Sequence, residues 1–102
     1  MSDLSNVEQL HGRTAIITGA SQGLGLEIAR RYVAAGASVM ICARDAELLS
    51  QAADELKSTI GKNQQIFSIA ADISKPDAVE DLIQSAVEKL GRIDILVNNA
   101  GV

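Results

Sequence analysis

The amino-acid sequence predicts an α/β fold built on a parallel β-sheet. Short apolar runs alternate with longer segments of helical periodicity in the order β-α-β-α-β-α-β. The first run is a β-branched segment suited to burial on both faces, and a glycine-rich turn joins it to the first helix. Strict alternation implies parallel strands with right-handed crossovers. We expect residues 1–12 to form a loosely held arm and residues 13–102 to form one folding unit.

The composition excludes several classes of function. Only 2% of the 102 residues are aromatic, which leaves no stacking platform for single-stranded nucleic acid, and a net charge of -4 opposes binding to a phosphate backbone. With one histidine and one cysteine, a metal site is not expected. No apolar run reaches the ~18 residues needed to span a bilayer, and the N-terminus carries no signal pattern. We therefore expect a cytoplasmic protein without nucleic-acid or membrane partners.

The first strand is predicted over residues 13–18, and the first helix follows the glycine-rich turn. Gly36 is a residue type common just beyond a helix C-terminus, and it sets the predicted end of this helix. The apolar stripe of the helix is predicted to contain Leu24, Ile28, Tyr32 and Val33.

The second strand is predicted over residues 37–42 and the second helix from near Asp45 to Gly61. Asp45 is suited to cap that helix, because its carboxylate can accept hydrogen bonds from first-turn amides. Cys42 lies in the apolar run, where a buried, inert thiol is expected. The buried face of this helix is predicted to contain Leu48, Leu49, Ala52, Leu56 and Ile60.

The third strand is predicted over residues 65–70 and the fourth over residues 93–97. Between them, Ser74 and Asp77 resemble a capping box, and Pro76 is tolerated in the first turn of a helix that ends at Gly91. The apolar stripe of this helix is predicted to contain Val79, Leu82, Ile83, Ala86, Val87 and Leu90.

The segment from Thr18 to Gly25 carries the strongest chemical signal in the chain. Three glycines at positions 19, 23 and 25 lie directly between a buried strand and a helix. A diphosphate needs backbone N–H groups at a helix N-terminus and no side chain that blocks close approach. The segment therefore predicts a phosphate loop, and the alternative is a glycine-rich turn that holds no ligand.

Three motifs together resemble the short-chain dehydrogenase/reductase family. Thr18 to Gly25 resembles its TGxxxGxG loop, residues 98–101 resemble its NNAG motif at the end of the fourth strand, and Asp72 with Ile73 resembles its adenine-contacting pair. The resemblance covers the chain from about residue 11. It implies a Rossmann-type sheet with strand order 3-2-1-4, the dinucleotide-binding half of a doubly wound fold.

The resemblance also implies a set of cofactor-binding residues. The Asp72 carboxylate would accept from the adenine amino group and the Ile73 backbone would hold the ring, although Asp72 could instead satisfy backbone donors in a turn. The NNAG segment would brace the sheet and lie along the ribose, tied to the first strand by the Thr18 side chain. The full set is Thr18, Gly19, Ser21, Gln22, Gly23, Leu24, Gly25, Arg44, Asp72, Ile73, Asn98, Ala100 and Gly101.

The end of the second strand favours NADP over NAD. An NAD-preferring relative would place an acid there to accept from the ribose hydroxyls, and by resemblance Ala43 occupies that position. Arg44 follows, and a guanidinium can meet the 2′-phosphate of NADP with two parallel hydrogen bonds. The alternative is that Arg44 is a solvated loop charge.

The resemblance implies the NADP(H)-binding portion of an oxidoreductase that moves hydride between nicotinamide and a carbonyl or alcohol. The catalytic serine and Tyr-x-x-x-Lys pair of the family stand beyond the NNAG segment, so no catalytic residue is assigned and the 102-residue chain alone is expected to be inactive. The alternatives are a non-catalytic nucleotide-binding or subunit-interaction module and a remnant that binds nothing. The fourth strand would be an exposed edge, so we expect marginal stability or self-association.

Overall fold

The computed structural model describes residues 9–99, which form four strands and three helices in strict alternation. The strands pair in parallel in the order β3-β2-β1-β4, which confirms the predicted fold class and strand order. No helix in this range is long and apolar enough to cross a bilayer. Most of the predicted arm lies outside the described residues. The elements are β1 (Thr14–Thr18), α1 (Gly23–Ala34), β2 (Ser38–Ala43), α2 (Ala46–Lys57), β3 (Ile66–Ala70), α3 (Pro76–Leu90) and β4 (Ile95–Val97).

β1 lies inside the sheet because both of its faces are apolar. Every residue of the strand is buried, and it pairs with β2 on one side and β4 on the other. Ile17 packs in the layer beneath α1 and α2, whereas Ile16 packs in the layer beneath α3. The strand therefore contributes to the apolar layers on both faces of the sheet.

α1 and α2 cover one face of the sheet, with one correction to the predicted stripe of α1. The sequence predicts Leu24 on the buried face, and this is wrong: Leu24 is 65% exposed. Gly25 and Leu26 are the buried residues of the first turn, so Leu24 is rotated about 100° from the first and about 200° from the second, away from the core. The buried residues are Leu26, Ala29 and Val33 of α1 and Leu49, Ala52, Ala53 and Leu56 of α2.

α3 covers the opposite face of the sheet only in part. Its buried side chains, Leu82 and Ala86, pack in one layer with Ile16, Met40 and Cys42. Three other members of the predicted stripe, Val79, Ile83 and Val87, remain partly exposed. Leu96 of β4 is 56% exposed, although its partner in register, Ile16, is buried in this layer. An apolar strip along α3 and β4 is therefore open among the described residues.

The helix ends follow the sequence except at the end of α2 and at the start of α3. The sequence predicts that α2 continues to Gly61, and this is wrong, because the helix ends at Lys57 and Ser58 is its C-cap residue. Asp45 caps α2 as predicted, because its Oδ1 accepts from the amides of Glu47 and Leu48 at 3.0 Å each. The predicted capping box of Ser74 is wrong: Lys75 is the N-cap residue of α3 and makes no side-chain cap. The Ser74 hydroxyl donates instead to Asp72 at 2.7 Å, an interaction between residues two apart that competes with capping.

A polar cluster around Asp94 joins the amino ends of β1 and β4. The Thr14 amide donates to Asp94 Oδ2 at 2.9 Å, and the Thr14 hydroxyl donates to the Arg92 carbonyl. Arg92 and Arg13 form ion pairs with the same carboxylate at 3.2 and 3.7 Å. The Thr14 amide, followed by the charges of Arg92 and Arg13, holds the pKa of Asp94 below its ordinary value. The cluster fixes the edge strand to the centre of the sheet at the end remote from the glycine loop.

Replacing Asp94 with asparagine is expected to reduce stability at neutral pH more than at low pH. Because the folded-state pKa of Asp94 is lowered, its ionised form stabilises the fold at neutral pH, and that contribution is lost as the pH falls through the lowered value. Urea unfolding of the wild type and Asp94→Asn from neutral pH to about pH 3 measures the difference. Asp81→Asn, on the exposed face of α3, is the matched control. A difference for Asp94→Asn that does not change with pH contradicts the assignment.

Candidate cofactor site

A cleft opens at the carboxyl ends of the four strands. Its volume is about 700 Å³, in the range of small-molecule and cofactor sites. Eight of the site residues predicted from the sequence line this cleft, because parallel strands bring the residues that follow them to one edge of the sheet. The predicted residues that line the cleft are Thr18, Gly19, Ser21, Gln22, Arg44, Asp72, Ile73 and Asn98, with Asn99 beside them.

The loop between β1 and α1 presents an uncapped helix N-terminus to this cleft. Gly19 and Gly23 have φ of +63° and +62°, a region that side chains disfavour, so glycine is required at both turns. Gln22 is the N-cap residue of α1 and makes no side-chain cap, which leaves first-turn amides available to an anion. Ala20 is fully buried, and its amide donates to the Cys42 carbonyl at 3.2 Å, which holds the loop against β2.

Gly25 allows α1 to approach the strand ends without intervening side-chain atoms. A Cβ atom built on Gly25 would lie 2.1 Å from the Gly19 carbonyl oxygen and 2.8 Å from Asn99 Nδ2. The first of these neighbours is backbone and cannot swing aside. The third glycine of the motif is therefore needed for the contact between helix and sheet, as the sequence predicts.

Thr18 ties the end of β1 to the segment after β4. The Asn99 amide donates to Thr18 Oγ1 at 2.9 Å, and the Thr18 hydroxyl lies 3.2 Å from Asn98 Oδ1. The Asn99 side chain donates to the Gly19 carbonyl at 3.3 Å. The predicted hydrogen bond from Thr18 is present, and the Asn99 contact adds a second link that the sequence does not reveal. The glycine loop and the start of the NNAG motif are thus one hydrogen-bonded unit.

The end of β2 places a cation at the rim of the cleft. Arg44 is exposed, and it forms no hydrogen bond or ion pair with another described residue. The neighbouring Asp45 carboxylate is engaged by the first turn of α2, through the two capping hydrogen bonds given above. Cys42 is buried at the floor of the same region, and burial raises the pKa of its thiol, which agrees with the inert role predicted for it. The guanidinium is therefore available to an anionic ligand.

Asp72 lies at the rim of the cleft after β3, in an ordered turn. Its Oδ1 accepts from the Ser74 amide at 3.0 Å and from the Ser74 hydroxyl at 2.7 Å. These hydrogen bonds lower the pKa of Asp72, and the charges of Arg44 and Lys75 act in the same direction. The turn role that the sequence left open is therefore real, but it occupies only one carboxylate oxygen.

Some site predictions fall outside this geometry. Ala100 and Gly101 lie outside the described residues. Gly23, Leu24 and Gly25 form the start of α1, and they are not among the residues that line the cleft. The set of cofactor-binding residues predicted from the sequence omits several residues that line the cleft. A signal existed for Asn99, inside the NNAG motif, and for Ala43, at the position of the ribose-binding acid. The missed residues are Cys42, Ala43, Asp45, Leu48, Ala71, Ser74 and Asn99.

Comparison with known proteins agrees with this arrangement. The family model described as short chain dehydrogenase matches residues 13–102, which is nearly the whole chain. The protein belongs to the short-chain dehydrogenase family. Members of this family are oxidoreductases that bind a nicotinamide dinucleotide.

Individual short-chain dehydrogenases resemble the chain closely. It is 42% identical to the 7alpha-hydroxysteroid dehydrogenase of Escherichia coli K12 over 93 residues, which are 91% of this chain and 35% of that protein. L-Sorbose reductase from Gluconobacter frateurii, solved with NADPH and L-sorbose, is 36% identical with a TM-score of 0.86, and the match covers 95% of this chain and 36% of that one. A metagenomic short-chain oxidoreductase in complex with NADP is 40% identical with a TM-score of 0.81, over 91% of this chain and 41% of that one. The chain spans about a third of the length of the curated relatives that it matches.

Proposed function

We propose that the chain is the NADP(H)-binding portion of a short-chain oxidoreductase that moves hydride between nicotinamide and a carbonyl or alcohol. The observation that carries the proposal is the single cleft that joins the glycine loop, Arg44 and Asp72. These residues offer a helix N-terminus for a diphosphate, a guanidinium for a second phosphate and a carboxylate for an amino group. A bare phosphate or a mononucleotide would leave part of this donor and acceptor set unused.

Each part of the dinucleotide has a candidate partner in the chain. The amides at the start of α1 would bind the diphosphate, and Arg44 would bind the 2′-phosphate. Asp72 and Ile73 would hold the adenine, and the segment that begins at Asn98 would lie along the nicotinamide ribose. When bound, the nicotinamide supplies the chemistry of accepting or donating hydride. The residues of this chain bind and orient it.

The preference for NADP over NAD rests on the end of β2. Arg44 supplies a free cation at the rim, and Ala43 stands where an acid would serve the ribose hydroxyls of NAD. Asp45 carries the opposite charge, but its carboxylate already binds two amides of α2. Three of the similar solved structures, two of them of L-sorbose reductase, hold NADPH or NADP, which supports the same preference.

We assign no catalytic residue to this chain. Tyr32, its single tyrosine, packs against the core in α1 and has Gly36, not lysine, four residues later. Hydride transfer is therefore proposed for a chain that joins this portion to the serine, tyrosine and lysine of the family. We expect the 102 residues alone to bind cofactor without turnover.

Titration of the purified chain with NADPH and NADH tests the proposal. Nicotinamide fluorescence and the unfolding midpoint are followed together, because a ligand that binds only the folded state raises that midpoint by mass action. We expect NADPH to bind at least about tenfold more tightly than NADH, a difference of about 1.4 kcal/mol. Equal affinities would refute the NADP assignment, and binding of neither would refute the cofactor role of this chain.

A subunit-interaction role is the second candidate, and the open apolar strip along α3 and β4 favours it. We propose that two copies of the chain pair through the outer edge of β4, which pairs with no strand among residues 9–99, because a free strand edge with apolar side chains is a template for association. Leu96→Lys is expected to reduce self-association, since a charge at that edge resists pairing. Sedimentation over a range of concentrations measures this, with Leu24→Lys, an equally apolar and exposed position on α1, as the control. A wild-type chain that stays monomeric throughout would end this candidate.

A further inference from the structure

The side chain of Ser74 has a contact that the proposed function does not use. Its hydroxyl donates to Asp72 Oδ1 at 2.7 Å, and its amide donates to the same oxygen at 3.0 Å. Both donors thus converge on one oxygen of a carboxylate that lines the cofactor cleft.

The Ser74 hydroxyl neither caps a helix nor packs in the core. α3 begins at Pro76 with Lys75 as its N-cap residue, so the hydroxyl does not cap the helix. The side chain is exposed and belongs to neither apolar layer. Among the hydrogen bonds of residues 9–99, its hydroxyl donates only to Asp72. The hydroxyl therefore acts on the orientation and the pKa of the Asp72 carboxylate.

Two donors on Oδ1 restrict the rotation of the carboxylate and leave Oδ2 to accept. No donor from residues 9–99 bonds to Asp72 Oδ2. The rotation of the Asp72 side chain is already restricted before a ligand binds. Binding to Oδ2 therefore costs less side-chain conformational entropy than binding to a freely rotating carboxylate. The rim thus presents one acceptor of defined orientation beside Ile73.

We infer that Ser74 is a positioning residue, which orients Asp72 and so selects an amino-purine over an oxo-purine at the adenine end of the cofactor. The inference rests on the proposed function. The amino group of adenine can donate to an ionised carboxylate, whereas the carbonyl of hypoxanthine at the same ring position can only accept. Ser74 acts through Asp72 and need not touch the purine.

The charges around Asp72 agree with an ionised acceptor. The hydrogen bonds from Ser74 lower the pKa of Asp72, and Arg44 and Lys75 add to this effect. Asp45, which also lines the cleft, accepts two hydrogen bonds from amides of α2. Affinity for an amino-purine should then persist as the pH falls until Asp72 is protonated. Removing the Ser74 hydroxyl should move that loss of affinity to a higher pH.

The ratio of two affinities tests the inference on the full chain. NADPH and its analogue in which hypoxanthine replaces adenine are titrated into the wild type, Ser74→Ala and Ser74→Thr. We expect the preference for NADPH over the analogue to fall about tenfold in Ser74→Ala and to be retained in Ser74→Thr, which keeps a hydroxyl. A folding defect would weaken both ligands equally and leave the ratio unchanged, so the ratio isolates the positioning role.

A second measurement does not depend on the cofactor. Carbon-13 NMR of the Asp72 carboxyl across a pH titration should show a higher pKa in Ser74→Ala than in the wild type or Ser74→Thr. An unchanged purine preference in a Ser74→Ala chain that binds NADPH would overturn the inference alone, as would an unchanged pKa of Asp72. Failure of the wild type to bind NADPH would overturn the proposed function, and the selectivity assigned to Ser74 with it.

Discussion

Replacing Gly25 with alanine is expected to destabilise the chain and abolish dinucleotide binding. The new Cβ would lie 2.1 Å from the Gly19 carbonyl oxygen, far inside van der Waals contact. At an unhindered helix position, alanine is more favourable than glycine by about 1 kcal/mol, so an unhindered Gly25→Ala chain would be more stable than the wild type. A loss of stability would therefore indicate the steric clash. Here we expect a loss of about 3 kcal/mol, the upper end of overpacking costs, and a fall of roughly 12–24 °C in the unfolding midpoint.

The matched control for this prediction is Gly61→Ala. A Cβ on Gly61 would come no closer than 3.3 Å to another residue, at the Oε1 atom of the Gln64 side chain. Thermal unfolding and NADPH titration of both variants give the comparison. If Gly25→Ala is as stable as the wild type, the close approach of α1 to Gly19 does not exist in solution.

Replacing Arg44 with alanine is expected to weaken NADPH binding about 30- to 100-fold, or about 2–3 kcal/mol, through loss of charge-assisted hydrogen bonds to the 2′-phosphate. NADH lacks that phosphate, so its affinity should change less than about threefold. The unfolding midpoint of the free chain should hardly move, because Arg44 forms no hydrogen bond or ion pair with another described residue. Fluorescence titration with both cofactors measures the change in preference.

Lys62→Ala is the charge-matched control for Arg44. Lys62 is exposed and lines a second, smaller cavity with Gly36 and Gln64, residues that precede β2 and β3, whereas the cofactor cleft lies at the carboxyl ends of the strands. Its removal therefore alters the net charge by the same amount at a distance. If Lys62→Ala weakens NADPH as much as Arg44→Ala does, the effect is one of overall charge. Raising the salt concentration would then abolish the difference between cofactors.

The fold was largely predictable because local signals agree with tertiary packing. Asp45 marks the start of α2, Gly36 and Gly91 follow the ends of α1 and α3, and the strands are short apolar runs between them. The order of the sheet also followed from the family resemblance. Where the hydrophobic pattern, the helix caps and the turn residues all favour the same element, the sequence is sufficient to predict that element.

The errors arose where two local rules competed. Ser74 and Asp77 match a capping box, but the Ser74 hydroxyl donates to Asp72, two residues earlier, instead of capping α3. Leu24 matches a helical stripe, but the contact of Gly25 with the loop sets the rotation of α1. The hydrogen-bond partner of a side chain and the rotation of a helix depend on three-dimensional distances. Those distances cannot be obtained from the spacing of residues along the chain.

The candidate site was predictable by position and less so by contact. Residues after parallel strands meet at one edge, so Thr18, Arg44, Asp72 and Asn98 could be placed together from the sequence. The donation from the Asn99 side chain to the Gly19 carbonyl joins residues 80 apart in the chain. Contacts of that kind follow only from the assembled sheet.

The anchoring of the glycine loop has a kinetic consequence. Two hydrogen bonds hold the loop, from the Ala20 amide to the Cys42 carbonyl of β2 and from the Asn99 side chain to the Gly19 carbonyl, and Gly25 packs closely against Gly19. An anchored loop does not have to fold around its ligand, so association requires no slow ordering step and can proceed at the rate of a productive collision. Selectivity between cofactors would then appear in how long each one stays bound rather than in how quickly it arrives.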